Sequence, residues 1–191
     1  MPFAGFVAGQ VITASALNAT GGASAKLDEQ VVSTAGGDIF FDGISQQFAH
    51  LLLIVHAHAA GTTPRQLELR FNEDGGASSY SYQLLALNAA DGSVDTGYTE
   101  NNASVDHIAV AQIGQNRFAP TVIWLPQYAS NIFRQTMYSD WSMIASTAAG
   151  SHFGHGSGRW EARTEAVTSI RVYGFADGLA AQSVGSLYGL A

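Results

Sequence analysis

Gln66-Leu67-Glu68-Leu69-Arg70-Phe71 alternates polar and apolar residues without a break. Only an extended chain, whose successive side chains point to opposite faces, sorts that pattern onto one dry and one wet side. The period predicts a strand with Leu67, Leu69 and Phe71 inward and Gln66, Glu68 and Arg70 outward. Upstream, Leu51 to Val55 is apolar throughout, the pattern of a strand covered on both faces. Further strands are expected at Tyr80 to Leu87, Asp106 to Ile113, Thr121 to Leu125, Met137 to Ala145, Trp160 to Arg163, Thr168 to Phe175 and Ser186 to Leu190. Between them, Glu73-Asp74-Gly75-Gly76, Asp91-Gly92, Gly114-Gln115-Asn116, Tyr128 to Asn131, Gly154 to Gly158 and Asp177-Gly178 have the composition of turns or loops. Short strands punctuated this way, with no competing amphipathic helix and no fixed repeat, predict an all-β fold: an antiparallel, jelly-roll-like β-sandwich with an extended amino-terminal arm.

Composition agrees with that class and narrows function. The chain has 191 residues, 21 of them glycine, and only 12% are charged, which suits a turn-rich β protein or one partly covered by partners. Eight basic against fifteen acidic residues leave a net charge of −7, and Lys26 is the single lysine. A nucleic-acid groove needs a basic face, so no nucleic-acid partner is expected. Without cysteine there are no thiolate metal sites or thiol nucleophiles. No apolar run approaches the roughly 20 residues of a membrane-spanning helix, and Met1-Pro2-Phe3 lacks a secretory n-region and h-region. A soluble product made in a cytoplasm, without membrane insertion, is expected.

Residues 1–27 differ from the rest. Gly5 and Gly9 space out apolar positions, Thr13 is placed to cap a short helical turn over Ala14 to Asn18, and Gly21-Gly22 breaks it. Such a segment cannot form a core, so Phe3, Phe6, Val7, Val11, Ile12 and Leu17 need a partner to pack against. The expected organisation is therefore an anchoring arm over 1–27 and a β-sandwich domain over 28–191.

Candidate chemistry is thin. His56 and His58, two apart on a strand, would share a face as a metal-binding pair does. Glu68 is the next carboxylate, ten residues on, and no second motif follows as a cupin would require. His152 and His155 fall in the glycine-rich stretch 150–158, read as a surface loop. Asp91, Ser93 and Asp95 have alternate oxygen spacing, but the sixth and twelfth positions of a calcium loop are Thr96 and Asn102, so a turn joining two strands is the reading. No G-x-S-x-G or H-E-x-x-H signature is present. No catalytic residue, metal or cofactor is assigned. Tyr80, Tyr82, Tyr98, Trp124, Trp141 and Trp160 are either core or a sugar-stacking platform; Tyr98 and Trp160 are the candidates for binding a glycan.

Phe6-Val7-Ala8-Gly9-Gln10-Val11-Ile12-Thr13-Ala14-Ser15-Ala16-Leu17-Asn18 resembles the F-x-x-G-x-x-x-T-A-x-x-L-N segment near the start of many tailed-phage tail-fibre, baseplate-associated and other virion proteins. Phe48 to Ile54, Leu69 to Asp74, Gly158-Arg159-Trp160, Ile170-Arg171-Val172 and the ending Gly185-Ser186-Leu187-Tyr188-Gly189-Leu190 are similar to small phage structural proteins that close on a Gly-Ser strand and Leu-Tyr-Gly. Those proteins usually have more residues between the two closing motifs, so a shorter or differently paired last strand is expected here. The resemblance implies a non-enzymatic virion protein, anchored by its arm to capsid or tail subunits, as a homotrimer. Its sandwich would face outward as a capsid decoration or the base of an appendage. A tail-fibre or adhesion subunit binding host surface glycans is the alternative, and a cupin-like metalloenzyme a remote one.

Overall fold

The Gln66–Phe71 alternation is realised in a strand, and Leu67, Leu69 and Phe71 are fully buried. A computed structural model of the chain describes residues 24–62, 65–76, 78–88, 91–99, 107–114, 117–143, 151–161 and 164–191. Its strands are β1 (Ser24–Val31), β2 (Ile39–Phe41), β3 (His50–Ala57), β4 (Arg65–Phe71), β5 (Tyr80–Asn88), β6 (Val94–Thr99), β7 (Ile108–Ile113), β8 (Ala119–Pro126), β9 (Thr136–Met143), β10 (His152–Trp160), β11 (Ile170–Gly174) and β12 (Val184–Leu190). They form an eight-stranded sheet, β1-β12-β3-β8-β9-β10-β5-β6, and a four-stranded sheet, β2-β11-β4-β7. Every strand pair is antiparallel.

This order is that of an expanded jelly roll. With strands lettered B to I along the chain, a jelly roll's sheets run B-I-D-G and C-H-E-F. Here β2, β11, β4 and β7 occupy the first set, while β3, β5 and β6 take the places of C, E and F. The remaining place, H, is filled by the meander β8-β9-β10, and three strands, being odd in number, keep every neighbour antiparallel. β12 and β1 extend this sheet beyond β3. Because β1 begins at Ser24, residues 24–27, grouped by composition with the arm, belong to the sheet, Ser24 to Lys26 pairing with β12 and Leu27 falling at a register shift.

The core lies between the sheets. Ile39, Phe41, Leu67, Leu69, Phe71, Ile108 and Val172 of the small sheet meet Leu51, Leu53, Val55, Ile123, Met137, Trp160 and Leu187 of the large one, all within 1% of full burial. Full burial of each such side chain contributes about 1.5–3 kcal/mol relative to exposure.

Three expectations need correction. Gly154 to Gly158 is not a loop but the centre of β10, hydrogen-bonded to β5 and β9 on its two sides. Gly154, Gly156 and Gly158 recur every second residue and so share the inward face. A Cβ on Gly156 would lie 2.4 Å from Ser139 Oγ and 3.4 Å from the Val110 carbonyl of β7, and one on Gly158 would lie 2.4 Å from Ile108 Cγ2. The glycines let β7 approach the large sheet closely enough for the Ser139 hydroxyl to donate across the sandwich to the Val110 carbonyl at 2.5 Å. Leu51 to Val55 is not covered on both faces either: Leu51, Leu53 and Val55 are buried, whereas Leu52 and Ile54 are half-buried on an open sheet face. The last strand, expected over Ser186 to Leu190, is β12, which runs from Val184 to Leu190 and pairs with both β1 and β3. Glu68, expected in water, is 2% exposed and sits 3.2 Å from His107 Nε2, beside a register shift between Leu67 and Glu68.

Candidate functional site

Strand register defines which loops share an end. Ser24 lies opposite Leu190, Leu190 opposite His50, and His50 opposite Pro126. The point from which residues 1–23 leave the sheet is thus at the same end as the β8–β9 connection, three strand spacings or about 14 Å away.

That connection, residues 127–135, is tied down at nearly every position. Gln127 takes a left-handed φ of 50°, and its N–H donates to His50 Nδ1 at 3.1 Å. Tyr128 is fully buried, donates its hydroxyl to the Ser45 carbonyl, and accepts from Val167 N at 2.8 Å. Gln135, 3% exposed, donates to the carbonyls of Ser130 at 2.6 Å and Glu165 at 3.1 Å and accepts from Trp160 N at 2.9 Å. The Ser130 hydroxyl accepts from the N–H groups of Ile132 and Phe133 at 3.2 and 3.4 Å. Arg134 donates to Glu161 at 2.8 Å.

Glu161 ties this loop to β10 and β5 by also accepting from Arg159 and from Ser81 at 2.6 Å. Burial alone would raise its carboxyl, but hydrogen bonds from Arg159 and Ser81 and the charges of Arg159 and Arg134 outweigh it and hold the group below the usual carboxylate range. The result is a fixed loop that keeps Ile132 74% and Phe133 61% exposed, although burying each would be worth about 1.5–3 kcal/mol. Sequence reading missed this pair. The available signal was two adjacent large apolar residues between Ser130-Asn131 and Arg134, with no alternation to put either one inside.

The sequence-derived candidates distribute differently. Phe3, Phe6, Val7, Val11, Ile12 and Leu17 lie outside the described residues. Tyr98 is on β6, but its side chain is also outside them. Trp160 is not a glycan contact: it is 1% exposed, follows the inward register of the β10 glycines, packs against Tyr80 and Phe71, and donates Nε1–H to Asp74 at 2.7 Å. Tyr80 and Trp141 are likewise core.

The outer face of the large sheet carries other aromatics. Tyr138, 57% exposed, lies opposite Trp124, which lies opposite Leu52, itself opposite Tyr188. Residues directly opposite share a face. His50 stacks on Trp124 with ring centroids 5.2 Å apart. Two residues along β9 and on the same face, Asp140 faces His155 across the β9–β10 pair and bonds to its Nδ1.

His56 is exposed on β3, whereas His58 lies just beyond that strand with its ring edge-on to Phe118 at 4.6 Å and Nδ1 2.9 Å from the Ala59 carbonyl. Among the described residues no group of three or more His, Asp or Glu side chains is placed to hold a metal ion. Asp91 accepts from Ser93 N at 2.9 Å in the β5–β6 turn, which is the strand connection expected. Among the described residues no helix is long and apolar enough to cross a membrane.

No family model matches the chain, and no curated protein does. A search of solved structures aligns it with a chain of the infectious bursal disease virus Gx strain structure at 10% identity, over 86% of this chain and 40% of that one, with a TM-score of 0.12. This chain spans less than half of that chain's length, and a likeness at this level carries no argument about fold or function.

Proposed function

We propose that the chain is a non-enzymatic structural component of a tailed-phage particle, assembled as a homotrimer, tied to capsid or tail subunits by its amino-terminal arm and presenting its β-sandwich outward. The observation that carries this reading is the position of β1. It is an edge strand of a sandwich whose buried core, among the described residues, is drawn from residues 32–187, and its first residue, Ser24, to which residues 1–23 with Phe3, Phe6, Val7, Val11, Ile12 and Leu17 are joined, stands at one end of the domain. The likeness of Phe6 to Asn18 to the arm segment of virion proteins supports it, and several apolar side chains per arm, repeated by symmetry, would give firm attachment through avidity.

Deleting residues 1–23 while keeping Ser24–Val31 tests the proposal. The shortened chain should fold with an unchanged unfolding midpoint and fail to enter particles. Undiminished incorporation would refute the reading. A mass in solution other than that of three copies would refute the trimer.

The outer-face pair of exposed Tyr138 and half-buried Trp124, with Asp140 and His155 beside it, favours a second reading as an adhesion subunit. Aromatic faces stack on pyranose rings, and the neighbouring carboxylate and imidazole would accept and donate hydrogen bonds to hydroxyls. Glycan-array binding that Tyr138→Ala abolishes would favour it; an array with no binding would remove it.

A further inference from the structure

We propose that Ile132 and Phe133 form a second, preorganised attachment contact, which inserts into an apolar pocket of the protein subunit that receives the arm. The inference rests on the attachment reading and deepens it by naming where on the domain, besides the arm, the particle is touched. Three observations carry it.

The first is conformational. Tyr128, Ser130, Gln135 and Arg134 fix the loop by hydrogen bonds to Ser45, Val167, Glu165, Trp160 and Glu161. The ordering of these two side chains' backbone has therefore already been achieved in the free domain. A contact made by such a loop loses little further entropy on binding, the general route by which a few residues dominate an interface.

The second is position. The loop stands about 14 Å from Ser24 at the end where the arm leaves. A surface that holds the chain close to Ser24, within that distance, also meets Ile132 and Phe133.

The third is charge, which selects a protein pocket over a lipid surface. The basic groups flanking the loop, Arg134 and Arg159, both bond to Glu161. Asp42 and Glu165 are exposed at the same end. An anionic bilayer attracts unneutralised basic clusters, whereas among the described residues at this end the two arginines are outnumbered by Glu161, Asp42 and Glu165, and an apolar protein pocket needs only shape and a polar rim.

The test uses the full chain and particles assembled without it. Binding of wild type to these particles is compared with that of the Ile132→Ser/Phe133→Ser double variant, the milder Phe133→Ala, and the chain lacking residues 1–23. Because both side chains are exposed, the variants should keep the wild-type unfolding midpoint. The expected result is about a thirtyfold or greater weakening for the double variant and about tenfold for Phe133→Ala.

If wild type binds, the arm deletion abolishes binding and the double variant binds within twofold of wild type, the inference is overturned and the attachment reading survives. If wild type does not bind these particles, both fall. Wild-type binding to phosphatidylglycerol-containing vesicles that the double variant loses would overturn the inference in favour of a lipid surface. Concentration-dependent self-association lost in the same variant would overturn it in favour of a second copy.

Discussion

Replacing Gly156 by alanine adds one methyl group where β7 approaches the large sheet closely. Gly156 has no left-handed φ, so alanine meets no backbone obstacle and the effect is one of space alone. The new Cβ would lie 2.4 Å from Ser139 Oγ, 2.9 Å from Leu84 Cδ2 and 3.4 Å from the Val110 carbonyl oxygen. Leu84 can turn away, but Ser139 is held by its 2.5 Å bond to Val110. Accommodating the methyl therefore means either separating β7 from the large sheet or giving up that bond. Overpacking costs about 1–3 kcal/mol, and leaving the buried Val110 carbonyl without its donor about 1–3 kcal/mol. Subtracting the roughly 0.5–1 kcal/mol that alanine gains over glycine in a strand from whichever of these two costs applies leaves an expected loss of about 0.5–2.5 kcal/mol. Urea unfolding would read it as a lower midpoint at unchanged slope. Ser139→Ala alone should cost about 1–3 kcal/mol, and the double variant should be little worse than that single change, a coupling of about 1 kcal/mol or more. A neutral Gly156→Ala, or strict additivity with Ser139→Ala, would refute the close approach of β7.

Three further outcomes follow from Tyr80 and Glu161. The Tyr80 hydroxyl donates to the Phe71 carbonyl at 3.2 Å and accepts from Phe71 N at 3.0 Å, so Tyr80→Phe should lower stability by about 1–3 kcal/mol in the same urea assay. Burial holds the Tyr80 phenol well above its ordinary range; the unfolded phenol loses its proton near pH 10 while the folded one keeps it, so wild type should lose stability as pH rises through about 10, and Tyr80→Phe should lose less. Glu161 is depressed in the folded state, so its contribution is present above the unfolded carboxylate range near pH 4.3 and is lost as pH falls through the lower folded value. Unfolding midpoints measured from pH 6 to pH 3 should fall less steeply for Glu161→Gln than for wild type, and parallel curves would count against the Arg134–Glu161–Arg159 clamp.

The fold was legible wherever one face of a strand is dry and the other wet. Gln66–Phe71 showed its inward residues directly, and β5, β8, β9, β11 and β12 fall close to the expected segments. β10 was hidden because its alternation is between glycine and larger residues. Glycine's turn-forming character dominates a compositional reading, although its spacing of two was the strand signal. β2, at three residues, is too short to show a period. Trp160 was misplaced for the same reason as β10, since its burial depends on the register of the glycines before it. The rigid Ile132–Phe133 loop could not be anticipated, because its partners Ser45, Glu161, Glu165 and Val167 are distant in sequence. The outer-face Tyr138–Trp124 row needed the strand order as well as the strands.

A reconstruction of the assembled particle at side-chain resolution tests the central claim most directly. The account predicts this domain on the particle with the end that carries Ser24 and the 127–135 loop facing inward, residues 1–23 packed against neighbouring subunits, and the Asp91-Gly92 turn pointing outward. A particle lacking the chain, or one in which the Asp91-Gly92 end is seated and Ser24 faces solvent, would contradict it.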